Sequence, residues 1–292
     1  MRENPFQLKE RGIQILSLLK RHGPLSSRGL LQIVSPPIKE RRLHASLARM
    51  QKIGLITKRM ERVFRGSGIF YQISQKSAVS AAIAITLGCE QSELKQPYFV
   101  SRELLHSESC AIWIEFLEQE FSEALVVRDF EFSRNPEVVE ILYVEEDDFE
   151  FVPDILLIFP KTEESPKVAV GLEIERTRKT ELRIKNKLKK YANETLLDGV
   201  IYLCESDDVS KEIRRIYRSS ILGKTMRINH YGKNFLLTQD ELLNGKKNRM
   251  KMLNLETQYI FLKDWICTLR KNDRADRRDE NFRVRAASCS DF

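Results

Sequence analysis

The sequence predicts an α+β protein of two modules. A small N-terminal unit of three short helices and a β-hairpin precedes a larger α/β unit with the element order αβββαβ. Three observations carry this. Apolar residues recur at helical spacing through residues 13–53 and then alternate through LITKRMERVFRGSGIFYQIS. Two β-rich runs, 151–159 and 167–175, bracket the polar break KTEESP, which reads as a hairpin turn. The 292 residues, 42% hydrophobic, suffice for about two domains with cores of their own.

In the N-terminal unit, taken as residues 1–75, Ile13, Leu16, Leu18 and Leu19 sit among basic residues and His22-Gly23-Pro24 stops the pattern, which predicts a helix over 9–22. Ser26 or Ser27 caps a short second helix through Val34. After Pro36-Pro37, Ile38, Leu43, Leu47, Met50 and Ile53 mark a third helix with Gly54 as its C-cap. The alternating run then turns at Gly66-Ser67-Gly68. The third helix exposes Lys39, Arg41, Arg42, His44, Arg49 and Lys52, and the hairpin adds Lys58, Arg59, Arg62 and Arg65. Together they predict a helix for a DNA groove and a basic hairpin for the phosphates, so double-stranded DNA is the expected partner.

Charge supports that partner. Residues 1–75 hold 15 Lys/Arg against 4 Asp/Glu, while residues 96–165 hold 4 against 18. The net charge of +7 is therefore an N-terminal property, and a polyanion is expected to meet the front module and the basic stretch 176–190. Five scattered cysteines, none in a C-x-x-C pair, argue against a disulfide framework and a zinc ribbon. No run reaches the ~18 apolar residues of a membrane span, and MRENPFQLKE lacks the apolar core of a signal peptide. The expectation is a cytoplasmic protein with no membrane insertion.

Residues 76–100 shift to Ser and Ala and read as a linker, with SAAIAITLG as a linking helix. Residues 101–240 read as the second domain: a helix at 102–121, β-rich runs at 124–132, 138–144 and 149–159, a strand at 167–175, a basic helix, a strand at 199–204, a helix at 209–221 and a last hairpin around 224–237. Residues 241–271 are a C-terminal helical extension, with an amphipathic helix at 256–271, and 272–292 a charge-dense tail predicted to be disordered.

The chemistry gathers at Phe151–Tyr191. Asp154 is predicted on the first strand of the 151–175 hairpin, and Glu173 and Glu175 near the end of the second, where i and i+2 share a face. Three carboxylates on an apolar sheet call for a cation, and oxygen-only ligands suit Mg²⁺ or Mn²⁺. Arg176, Arg178, Lys179, Arg183, Lys185, Lys187, Lys189 and Lys190 follow, opposed by Glu181. A metal held beside cationic groups suits phosphodiester cleavage, so Arg176 and Arg178 join the expected DNA contacts. Ile184, Leu188 and Tyr191 form an apolar stripe that reads as packing, and Lys187 flanks it with its stem toward the strand ends. His106, in ELLHSES, is a further catalytic candidate, and Glu108 and Glu115 share its helix.

Strand, Pro-Asp, strand, Glu-x-Glu and basic helix follow the order of the PD-(D/E)xK nucleases, which this segment resembles. Glu175 stands where that motif usually has lysine, so the lysine role moves to Lys187 or Lys179. Residues 1–75 resemble winged helix-turn-helix domains, and the second domain resembles restriction-endonuclease-like folds. The succession of these parts, LLHSES, VPD and LEIERTRKTELRIKNKLKKY over residues 8–205, resembles the replication-relaxation family, and within it the MobC-type plasmid mobilisation relaxases. That resemblance implies an enzyme that nicks one strand at an origin of transfer, aided by an accessory mobilisation protein and a coupling protein. Its acidic site would be Asp154, Glu173 and Glu175, and its basic group Lys179 or Lys187. The alternatives are a DNA-binding replication or transcription regulator that keeps a nuclease-like core for homodimer formation, and a transposon or restriction nuclease.

Overall fold

A computed structural model of the chain describes residues 8–63, 66–95, 99–134, 138, 153–162, 167–193, 197, 199–204, 207–219 and 235–238. Over these residues the protein is α+β, with seven α-helices and two sheets. It divides into two compact units, Met1–Phe116 and Leu117–Phe292.

In the first unit, α1 (Glu10–His22) buries Ile15, Leu16, Leu18 and Leu19 and ends where Gly23 takes φ 82. Strand β1 (Leu25–Ser26) leads into α2 (Ser27–Ile33), whose N-cap is Ser26, its hydroxyl accepting the Gly29 N–H at 3.0 Å. Helix α3 (Glu40–Lys52) buries Leu43, Leu47 and Met50, an i, i+4, i+7 stripe, and Gly54 follows at φ 80. Strands β2 (Ile56–Val63) and β3 (Gly66–Ile73) are antiparallel, with β1 on the far edge of β3. Val63 pairs with Gly66, so Gly66-Ser67-Gly68 begins the return strand instead of forming the turn.

The segment expected to hold a linking helix contains α4 (Ser77–Leu87) and a 3₁₀ turn (Gln91–Leu94), with Ile83, Ala84 and Leu94 buried and α4 packed on α1. Alanine is the best helix former, and small side chains let two helices approach closely, so Ser and Ala content here marks a packed helix. Helix α5 (Ser101–Glu120) follows, and the division between units falls within it.

The second unit comprises β4 (Leu125–Arg128), β5 (Ile155–Phe159), β6 (Val168–Glu175), α6 (Glu181–Asn193), β7 (Gly199–Cys204), α7 (Asp207–Ser219) and β8 (Phe235–Thr238). The sheet order is β4-β5-β6-β7-β8; β4, β5 and β6 are antiparallel, and β6, β7 and β8 parallel. Helix α6 is the crossover that a parallel β6–β7 pair requires. Strand β4 is shorter than expected because the chain enters a 3₁₀ turn at Asp129–Arg134. Apart from Val138, the strand expected at 138–144 lies outside the described residues. So do most of the 224–237 hairpin and all of 241–292, while β8 runs parallel to β7.

Strand β6 is buried along its whole length. Residues 169, 171, 173 and 175 share one face, and the register sets Tyr202 beside Glu173 and Cys204 beside Glu175. Toward β4 this face packs Val127, Phe132, Val138, Leu156, Ile158 and Ala169. Toward β7, Ile184 and Leu188 of α6 and Val209, Ile213 and Ile216 of α7 close over Tyr202 and Cys204. Two carboxylates are thus sealed between a sheet and its crossover helix. Among the described residues no helix is long and apolar enough to cross a membrane.

Candidate functional site

The sequence VAVGLEIE makes β6 an interior strand for five residues and then places Glu173 and Glu175 on the face that α6 covers. Glu173 is 0% exposed and Glu175 5%. Asp154 stands one residue before β5, just off the strand where it was expected, because the chain bends there to bond its neighbours. Its Oδ2 accepts the Ile174 N–H at 2.7 Å, and its carbonyl accepts the Asp129 N–H at 3.2 Å. The Ile155–Leu172 register continues to set Asp154 opposite Glu173. Gly171 makes room for this: a Cβ there would lie 3.2 Å from Pro153 Cβ and 3.0 Å from Leu197 Cδ1, so the proline settles over the glycine and holds the following aspartate.

Helix α6 supplies the opposing groups. Ile184 and Leu188 face inward, and Lys187 and Tyr191, one turn apart, reach Glu173 from beside that stripe. Lys187 Nζ donates to Glu173 Oε2 and lies 3.4 Å from Glu175 Oε1. Tyr191 Oη donates to Glu173 Oε1, so both carboxylate oxygens are engaged. Lys179 Nζ is 4.0 Å from Glu175 Oε2. The second unit therefore brings Asp154, Glu173, Glu175, Lys187 and Lys179 together. It adds Tyr191, which the sequence reading treated as packing; the Lys187-x-x-x-Tyr191 spacing was the signal that the two share a helix face.

Burial, followed by the nearby Asp154 carboxylate, pushes Glu173 up to about 8 against the opposing pull of Lys187 and Tyr191. Burial disfavours the Lys187 ammonium, but Glu173, Asp154 and Glu175 outweigh it and hold its pKa above the ordinary lysine value. Tyr191 and Tyr202 are raised well above the usual phenol range, first by burial and then by Glu173, so both remain neutral donors. Their rings meet edge to face at 6.4 Å between centroids. The buried Tyr202 hydroxyl has no hydrogen-bond partner among the described residues.

As the side chains stand, no three His, Cys, Asp or Glu groups among the described residues are gathered as a ready metal site. The donor set nevertheless fits a hard divalent cation. Asp154, Glu173 and Glu175 offer oxygen alone, and an ammonium already serves as the cation on Glu173.

His106 belongs to the first unit, with the part of α5 that carries Glu108 and Glu115. Those two carboxylates are committed there. Glu108 Oε2 accepts the Ser26 N–H at 2.5 Å, and Glu115 meets His22 Nε2 at 2.7 Å and Arg21 at 3.3 Å. Burial opposes ionisation of Glu115, yet His22 and Arg21 hold its pKa below the ordinary carboxylate value.

Among the expected DNA contacts, Lys39, Arg41, Arg42, His44, Arg49 and Lys52 are all exposed on and beside α3, and Lys58 and Arg62 are exposed on β2. Arg59 is different. Alternation turns it to the opposite face of β2, where it pairs with Glu61 at 2.5 Å and donates to the Phe99 carbonyl at 2.9 Å. Arg65 lies outside the described residues, Arg176 is half-buried, and exposed Arg178 is 3.8 Å from Asp208.

The fold and site thus define a mixed-sheet α+β unit with a buried carboxylate–lysine–tyrosine cluster, accompanied by a basic helical unit. No protein-family model, curated protein or solved structure matches the chain.

Proposed function

We propose that this chain is a divalent-metal-dependent DNA endonuclease, a relaxase-like enzyme that nicks one strand at a specific origin site. The observation that carries the reading is the Glu173 carboxylate, fully buried, bracketed by Lys187 and Tyr191, and joined by Asp154 and Glu175. Burying this much acid costs several kcal/mol unless cations compensate, and such cost is concentrated at functional sites. The succession β4-β5-β6-α6-β7 supports a PD-(D/E)xK-like core, with Pro153-Asp154 before β5 and the two glutamates ending β6.

Asp154, Glu173 and Glu175 would hold Mg²⁺ or Mn²⁺, which when bound supplies Lewis acidity at the phosphodiester and a lowered pKa for an attacking water. Lys187 takes the basic role. It is part-exposed yet reaches Glu173, so the same ammonium can neutralise charge on a scissile phosphate. Lys179 balances Glu175. The first unit, read as a winged helix, binds double-stranded DNA through α3 with Lys58 and Arg62 on the hairpin, its affinity resting on the exposed basic side chains there.

One observation favours a second reading, a DNA-binding regulator with a non-catalytic core: both Glu173 oxygens are already satisfied within the chain. Nicking of supercoiled plasmid with Mg²⁺ against EDTA separates the two. Asp154→Ala is expected to reduce nicking by more than about 100-fold, beyond the 10–100-fold loss typical of groups that only support a ligand. DNA binding should be retained, because the basic excess lies in residues 1–75. The product should carry a 3′-hydroxyl with no tyrosyl adduct, since the half-buried Tyr191 is a neutral donor whose hydroxyl is engaged by Glu173. A full rate in Asp154→Ala, or no Mg²⁺-dependent nicking by the parent, refutes the enzymatic reading.

A further inference from the structure

Tyr191 lies on the helix face that closes over β6, and its hydroxyl reaches a carboxylate oxygen instead of solvent. Its ring is seated between the Ile184–Leu188 cluster and the edge of Tyr202. Lys187 holds the other oxygen from one turn earlier, so the two side chains clamp Glu173 from a single rigid element. A carboxylate fixed on one oxygen by a neutral donor keeps its second oxygen oriented toward whatever cation arrives, and it loses less side-chain freedom on binding one.

We infer that Tyr191 is a positioning residue: its hydroxyl fixes the Glu173 carboxylate so that the opposite oxygen is presented to a divalent cation at the site shared with Asp154 and Glu175. The inference rests on the metal reading above and names the device that orients its central ligand. Lys187 donates to that second oxygen in the metal-free chain and is the group a cation would replace there, whereas Tyr191 holds the other oxygen with its ring packed against the Ile184–Leu188 cluster.

The test is Mn²⁺ binding by isothermal titration calorimetry to the full-length chain, without DNA, comparing the parent with Tyr191→Phe. Phenylalanine keeps the ring and its packing and removes the hydroxyl. The expected result is a Kd about 10-fold weaker, with a modestly lower melting temperature without metal, as the loss of one donor to a buried carboxylate requires, and unchanged DNA affinity in EDTA. Equal Kd values in the two proteins overturn the role of Tyr191 while leaving the metal reading standing. No Mn²⁺ binding by the parent overturns both. Should Tyr191→Phe melt well below the parent, 3-fluorotyrosine at position 191, which keeps ring and hydroxyl and makes the donor more acidic, replaces it. A shifted Kd then supports the hydrogen bond, and an unchanged one removes it.

Discussion

Replacing Glu173 by glutamine removes a titrating proton from the centre of the second unit, and the consequence can be worked out from burial. Glu173 rises from its ordinary value of 4.5 to about 8, first through burial and then through Asp154. The folded chain therefore keeps a proton there that the unfolded chain releases, so stability falls as pH rises between 4.5 and 8. At 1.36 kcal/mol per pH unit the full loss is about 5 kcal/mol, of which about 1 is felt at pH 5 and about 3 at pH 7. Glu173→Gln cannot lose this stability, because the amide does not titrate. The amide and the protonated acid each present one carbonyl oxygen to Lys187 and Tyr191, so any difference between the two proteins in those bonds is an offset that does not change with pH. The slope is the readout.

Cys204 is fully buried on β7, so pulse labelling of its thiol across a urea series, with the peptide read by mass spectrometry, reports unfolding of this unit. In EDTA, the stability of the parent relative to Glu173→Gln should fall by about 2 kcal/mol from pH 5 to pH 7. Parallel curves would show that Glu173 is ionised throughout as a plain partner of Lys187, and would refute the reasoning.

Two further outcomes concern the first unit. Replacing both Arg41 and Arg42 by alanine should weaken DNA binding and lower the slope of log K against log salt by up to about two, measured by fluorescence anisotropy across a salt series. Gly29→Ala should destabilise the unit by about 1–2 kcal/mol. Its Cβ would lie 2.5 Å from Glu108 Oε2, and displacing that carboxylate strands the Ser26 N–H, which outweighs the gain of about 1 kcal/mol from alanine in a helix. Pulse labelling of buried Cys110 across a urea series reads it.

The α+β class and the location of the principal elements were legible in the residue pattern, because the signals that set them are local. Leu43, Leu47 and Met50 at helical spacing turn one side of α3 inward and leave its arginines out, whatever else the chain does. Strand alternation likewise puts Glu173 and Glu175 on one face of β6 before any partner is known. What stands opposite them is a matter of contacts distant in sequence, and only the tertiary structure decided it. The β6–β7 register set Tyr202 beside Glu173, and the docking of α6 turned Tyr191 from a packing residue into a donor to that carboxylate. The same kind of contact withdrew Arg59 from the basic surface, when Glu61 and the Phe99 carbonyl claimed its guanidinium. It also packed the helix expected in the Ser- and Ala-rich stretch after residue 76 against α1, a contact that its small apolar face does not specify on its own. Local periodicity specifies which way a side chain points, whereas its partner depends on how separate elements pack, and the charge balance around Glu173 follows from that packing.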